Sequence, residues 1–389
     1  MPPSGSAVIE QASLNQAQAQ GFPASPPSAC QTCPHQLVLG AFFDGTGNNM
    51  YRDFAGSVGE GSETNVARLY RLYRAHNDAN RAREKLYVVG VGAMTNPAGT
   101  GLANQLPTDQ RARALRLRDL EMGSSLPFAG DVVGKATGLG GMERLKIAYR
   151  WAEAWCRSVP GSEPKLIDVY GFSRGAAMAR TFVNLVLVGL KKDFENVSVR
   201  FLGVFDTVGS FGKGGDDVDV GQNMGISPGD ATHVRHYTAR HEQRKNFPLT
   251  ALRGDREYAG AHSDVGGGYA KIYEGAKNHL AFVPLFDMHH SCVTDGEVEM
   301  SALELPAGVD VEKLRADSEK YWPAHSIMYA TGGEFAKARE QFYKDYIHTS
   351  HSSWSVGMGA EPSGRRRIFP NPAKKAVKSK PPEYEWVED

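Results

Sequence analysis

Two periods alternate along the middle of the chain. Short apolar runs at Gln36 to Phe43, Leu86 to Val91, Lys165 to Tyr170 and Val199 to Phe205 have the length and β-branched content of buried strands. Between them, apolar residues recur every three to four positions. Val66, Leu69, Tyr70 and Tyr73 share one face of a helix expected over Glu63 to His76. Leu145, Ala148, Tyr149, Ala152 and Trp155 share a face over Gly141 to Arg157. Ala176 to Leu190 reads as a third helix, and Glu334 to Tyr346 is the clearest one beyond Gly275. A brief apolar run, Tyr258 to Ala261, ends at His262. Strand and helix in alternation predict an α/β fold of α/β-hydrolase-like type, a mostly parallel central sheet with helices on both faces.

The punctuation divides the chain. Residues 1–35 are rich in Ala, Gln, Ser and Pro and are expected to be a flexible leader. A catalytic domain is expected over 36–358, with 94–140, full of Gly, Pro and polar residues, as an insertion or lid. Residues 359–389, with Arg365-Arg366-Arg367, lysines and prolines, are expected to form a flexible basic tail. The polar stretch His236 to Phe247 is read as outside the strands.

Charge removes one class of function. Lys plus Arg equals Asp plus Glu at 44 each, so no nucleic acid partner is expected. The start lacks a charged and then apolar signal segment, which implies synthesis in the cytoplasm without signal-peptide export. Cys156 reads as core, Cys292 has no evident partner, and Cys30 with Cys33 lacks a second ligand pair, so no zinc site is expected. Asp216, Asp217 and Asp219 lack the spacing of a calcium loop. No metal and no cofactor is expected.

The chemistry sits at strand ends. Gly171-Phe172-Ser173-Arg174-Gly175 follows a strand and opens a helix, the context of a nucleophile elbow, in which Gly171 and Gly175 leave room for a tight turn. The string alone is weak, since roughly 0.3 matches are expected by chance in such a chain. Gly225-Ile226-Ser227-Pro228-Gly229 is a second match with no strand before it, and reads as a loop turn. After Ser173, Asp206 closes one later strand and His262 another, which gives the order serine, acid, base. His348 is the best rival base, ahead of His325 and His351. The oxyanion of an ester intermediate needs N–H donors. The amide of Arg174 follows the nucleophile, and Gly45 and Thr46 of the turn after the first strand are the expected suppliers of the other, with Asp44 pinning that turn. A phosphate-cradling reading of the same turn fails because no Lys follows it.

Taken together, FDGTGNN at Phe43 to Asn49, GFSRG at Gly171 to Gly175, GVFDTVG at Gly203 to Gly209 and GAHSDVGGGY at Gly260 to Tyr269 resemble, in order, the blocks of the catalytic domain of type VI secretion phospholipase effectors. The resemblance covers about residues 36–290. It implies a Ser173–Asp206–His262 lipase acting on phospholipid at a membrane surface. It further implies a secretion-apparatus carrier, an immunity protein in the producer, and delivery to the periplasm of a target cell. The chain departs from the group in its short length and in carrying His241 where an acidic residue is usual. A soluble carboxylesterase or acyltransferase, and a non-catalytic effector or adaptor domain on the same fold, remain open on sequence alone.

Overall fold

A computed structural model describes residues 36–53, 61–75, 81–93, 140–158, 163–211, 221–321, 333–349 and 366–375. The expected leader, almost all of the 94–140 insertion, the acidic loop with Asp216, Asp217 and Asp219, and Cys30, Cys33, His325 and His351 lie outside the described residues.

The core is a six-stranded parallel sheet. Its strands are β1 (Gln36–Phe43), β2 (Arg81–Val88), β3 (Lys165–Phe172), β4 (Val197–Phe205), β5 (His233–Ala239) and β6 (Arg256–Tyr258), in the spatial order β2-β1-β3-β4-β5-β6. This is the expected fold class. All strands run the same way, so their carboxyl ends share one rim, where an open α/β sheet builds its site.

Strand alternation explains the two-sided core. Leu37, Leu39, Ala41 and Phe43 of β1 pack into one apolar cluster, with α2 (Gly141–Ser158) and α3 (Arg174–Leu185). Val38 and Phe42 point the other way, into a second cluster with α1 (Asn65–Leu72) and α5 (Phe282–Thr294). Both faces of the inner strands β1, β3 and β4 are thus buried under helices, which is why these strands read as continuous apolar runs. Between them, α4 (His262–Gly266) is a single short turn, and α6 (Val311–Tyr321) and α7 (Glu334–Tyr346) follow α5. Thr64 starts α1: its hydroxyl oxygen accepts the Ala67 N–H at 3.1 Å.

Four expectations are corrected. The second strand is Arg81–Val88, not Leu86 to Val91. It is an edge strand, and two of its charges have partners: Arg83 pairs with Glu299, and Lys85 Nζ donates to the carbonyls of Tyr70 and Tyr73 at 2.7 and 2.8 Å. The polar stretch begins inside a true strand, β5, at His233–Ala239, four of whose seven residues, His233, Arg235, His236 and Thr238, are polar. The run Tyr258 to Ala261 is the end of β6 plus a turn. Residues 366–375 are not a free tail: Ile368–Phe369 pairs with Leu249–Thr250 and the stretch lies along residues 223–230.

Candidate active site

Four of the strand ends on the rim, those of β1, β3, β4 and β6, lead into the residues singled out by sequence. At the end of β3, Ser173 adopts φ 59°, ψ −129° and precedes α3 directly. A non-glycine residue held there is strained by about 1–3 kcal/mol. The glycines around it are required by space. A Cβ on Gly171 would lie 2.5 Å from the Gly175 carbonyl oxygen, and one on Gly175 would lie 2.3 Å from the carbonyl oxygens of both Phe43 and Asp44. The elbow therefore packs against the end of β1 with no room for a methyl group.

At the end of β4, Asp206 is also left-handed, at φ 42°. Backbone bonds lock the two turns together: Ser173 N–H donates to Phe205 O at 3.0 Å and Val208 N–H to Ser173 O at 3.2 Å. His262 opens α4 and reaches across, its Nδ1 lying 2.5 Å from Asp206 Oδ2. Its ring packs against Phe172 and Phe247, and its backbone N–H donates to Glu242 Oε2 at 3.1 Å. With Nδ1 engaged, Nε2 is the nitrogen left for proton transfer. Burial pulls the imidazole below its ordinary range against the pull of Asp206, which favours the neutral ring a general base requires.

Asp206 is wholly buried and has a partner that sequence reasoning missed. Arg366 clasps it with both arms: Nη1 donates to Oδ2 at 2.7 Å and Nη2 to Oδ1, while Ala239 N–H also donates to Oδ1 at 2.7 Å. Burial alone would raise this carboxyl, but Arg366 and His262 outweigh it and hold it well below the usual carboxylate range.

The turn after β1 is built on Asp44. Its Oδ1 accepts from Gly45 N–H at 2.7 Å and from Thr64 Oγ1 at 2.6 Å, and its Oδ2 from Tyr87 OH. Burial pushes its carboxyl up to about 7 against the pull of those three donors. One expectation changes here: the Gly45 amide is committed to Asp44, so it does not offer itself to a substrate. Gly45 is glycine for packing, since a Cβ would lie 2.5 Å from the Phe172 ring. Beside it, Thr46 Oγ1 is buried with no hydrogen-bond partner among the described residues. Arg174 is the first residue of α3, and helix-first-turn N–H groups point out past the N-terminus. Burial lowers its guanidinium to about 10.

The rival bases are placed elsewhere. His348 Nδ1 lies 2.5 Å from Asp264 Oδ1, and its ring stacks on Tyr269. Inside β5, His236 has Nδ1 2.8 Å from Asp255 Oδ1 and Nε2 accepting the Thr207 N–H at 3.1 Å. His241 accepts the Gly260 N–H at 2.8 Å, and burial lowers it to about 4. The second G-x-S-x-G is a turn in which Asp230 accepts the Ser227 N–H at 2.6 Å. Among the described residues, only Asp206–His262 joins the ends of two strand turns beside the Ser173 elbow.

The model of the type VI secretion Tle1-like phospholipase effector catalytic domain matches residues 36–193 and 189–291. The chain belongs to this family. The matched span holds Ser173, Asp206 and His262 and stops well short of Arg366. A solved Tle1 effector bound to the VgrG spike of a type VI secretion system superposes with a TM-score of 0.51 at 18% identity, over 90% of this chain and 98% of that one. At that identity the likeness speaks for the fold. An uncharacterized Pseudomonas aeruginosa protein aligns at 21% identity over 88% of this chain and 56% of its own, with a TM-score of 0.49. A search of curated proteins returned no match. Among the described residues, no helix of this Tle1-like chain is long and apolar enough to cross a membrane, and no cluster of His, Cys, Asp and Glu has the arrangement of a metal site.

Proposed function

We propose that the protein is a serine phospholipase of A type, which cleaves a carboxylic ester of membrane phospholipid through an acyl-enzyme on Ser173. The observation that carries this is the buried 2.5 Å contact between Asp206 and His262 Nδ1, next to a serine held in a strained strand-to-helix turn. In the mechanism, His262 Nε2 takes the proton of Ser173 Oγ as that oxygen attacks the ester carbonyl carbon. Asp206 holds Nδ1–H and stabilises the imidazolium. The oxyanion accepts from the backbone N–H groups of Arg174 and Thr46, and a rotated Thr46 hydroxyl stands beside them. Collapse breaks the ester C–O bond, and the leaving lysophospholipid oxygen takes the proton from His262 Nε2. Water, deprotonated by His262, then attacks the acyl-Ser173 carbonyl and frees the fatty acid and the serine.

As a member of a secreted effector family the protein acts outside the cell that makes it. We assign its target to phospholipid facing the periplasm of a recipient cell, its delivery to a secretion-spike carrier, and its neutralisation in the producer to an immunity protein. The solved Tle1 effector bound to a VgrG spike supports the carrier assignment.

The test is fatty-acid release from phospholipid vesicles and hydrolysis of short p-nitrophenyl esters, with wild type beside Ser173→Ala. Wild type should act on both, and the variant should lose at least about 10⁴-fold in kcat. Ester hydrolysis without release from vesicles would make it a soluble esterase. Activity surviving in Ser173→Ala would overturn the mechanism.

A further inference from the structure

We infer that Arg366 is a positioning residue for this reaction, delivered by the C-terminal segment 366–375, and that the site is complete only with that segment docked. The inference rests on the proposed role of Asp206. It is drawn from two features that meet at one carboxylate.

The first is the clasp. Asp206 is fully buried and Arg366 is 8% exposed, yet the guanidinium meets both carboxylate oxygens in a fork and also donates to Ala239 O at 3.1 Å. A buried carboxylate facing only His262 and one amide would bind a proton readily. A neutral carboxyl orients Nδ1–H poorly. Arg366 supplies a permanent charge and a planar fork that fixes the carboxylate plane, and with it the imidazole.

The second is how the segment is seated. Ile368 is 61% exposed, so apolar burial is not what holds it. Polar fit does. Leu249 N–H donates to Arg367 O and Ala251 N–H to Phe369 O, both at 2.9 Å. Asn371 Oδ1 accepts from Arg180 Nη2 at 2.8 Å, and its Nδ2 donates to Ile226 O at 2.8 Å. Asn223 and Lys375 exchange two bonds, at 3.0 and 3.1 Å. Arg180 belongs to α3, the helix that begins at the elbow. One strap therefore grips the acid at one end and the nucleophile helix at the other.

The test uses full-length variants on p-nitrophenyl esters. Arg366→Gln should lower kcat by about 10- to 100-fold with KM unchanged. Its pH profile should also move. Removing a positive charge beside the Asp206–His262 pair lets the pair hold its proton more tightly, so the acid limb should shift to higher pH. Arg366→Lys keeps the charge without the fork and should fall between. Arg157→Gln makes the same charge change in the last turn of α2, outside the strap, and should behave as wild type. Gly225→Leu acts from a distance: a Cβ there already lies 2.5 Å from Pro372 O, so a larger side chain displaces the strap. It should reproduce the pH shift of Arg366→Gln. A wild-type kcat and pH profile in Arg366→Gln, or lost activity in Gly225→Leu with the acid limb unmoved, overturns the inference. Ser173→Ala run alongside separates the two readings: activity in that variant refutes the serine mechanism itself, whatever Arg366 does.

Discussion

Replacing Asp206 by Asn should injure the protein twice, and the two injuries separate. Each carboxylate oxygen faces two donors: Oδ2 faces His262 Nδ1 at 2.5 Å and Arg366 Nη1 at 2.7 Å, while Oδ1 faces Arg366 Nη2 and Ala239 N–H. An amide puts its NH2 in one of those places, so a donor meets donors whichever way it turns. Turned toward His262, it makes Nδ1 accept, which places the remaining proton on Nε2 and abolishes the base. The expected loss in kcat is about 10⁴-fold, the size of a tautomer error in a serine triad. The second injury is to stability. Arg366 keeps its charge in a buried place and loses its counter-charge, at a cost of about 3–5 kcal/mol. At about 2 °C per kcal/mol for a domain of this size, the melting temperature should fall by about 6–10 °C. Asp206→Asn with Arg366→Gln removes the orphaned charge. That double variant should regain at least about 2 kcal/mol and none of the activity. Thermal melts and p-nitrophenyl ester hydrolysis on wild type, both single variants and the double variant close the cycle. If Asp206→Asn melts with wild type, or the double variant is no more stable than Asp206→Asn, the buried ion pair is not what the structure makes it. Hydrolysis within tenfold of wild type in Asp206→Asn would remove Asp206 from the mechanism.

The rival histidines divide the same way. His262→Ala should lose most of kcat and fold normally, whereas His348→Ala should keep its chemistry and lose about 1–3 kcal/mol, because Asp264 is left buried without its Nδ1 partner. Ester hydrolysis and melts on the pair decide it, and the reverse pattern takes His262 out of the triad. Gly175→Ala should cost about 1–3 kcal/mol or more, since its Cβ meets two carbonyl oxygens at 2.3 Å, and kcat should fall as the elbow shifts. A variant equal to wild type in melt and rate would mean the elbow is looser than described. Asp44 gives a pH signature. Its folded carboxyl is raised to about 7 from about 3.9 unfolded, so the folded chain holds a proton the unfolded one has lost. The stability this contributes is complete below about pH 4 and is lost as pH rises through 7. The melting temperature of wild type minus that of Asp44→Asn should therefore decline from about pH 4 to 8, and a flat difference would sink the assignment.

Legibility in the sequence followed burial on two faces. β1, β3 and β4 lie inside the sheet under helices on both sides, so they read as apolar runs and their ends led to Asp44, Ser173 and Asp206. Tyr258 marked the end of β6 and so led to His262. β2 is an edge, and its Arg81, Arg83, Glu84 and Lys85 hid it behind charge. β5 was hidden because its histidines do structural work: His236 is buried in a polar chain from Asp255 to Thr207 rather than in an apolar cluster. Arg366 was not legible. A single arginine in a basic, proline-rich stretch has the composition of a solvated tail, and the one local hint was the Ile368-Phe369 pair beside it. Its partner lies 160 positions away, and no periodicity reports a contact at that separation.

Among the described residues the same aspartate–histidine contact occurs three times, at Asp206–His262, Asp255–His236 and Asp264–His348, so the contact itself does not make a catalytic pair. What differs is the backbone beneath. His236 sits within a strand, and its Nε2 is spent accepting the Thr207 N–H. His348 follows α7, and its partner Asp264 also caps the turn that His262 opens, by accepting the Ala261 N–H at 2.9 Å. Those two pairs hold the scaffold: one fixes the residue after Asp206, the other the helix that carries His262. In the Asp206–His262 pair alone, the acid is a left-handed residue at a strand end, and its chain neighbours Phe205 and Val208 bond through backbone to a second left-handed residue, Ser173. Two strained residues of about 1–3 kcal/mol each are tolerated because a parallel sheet, tight glycine contacts and the Arg366 clasp over-determine their geometry. Strain concentrated where two strand ends meet, with the acid held in the Arg366 fork, is what sets this pair apart from its two structural copies.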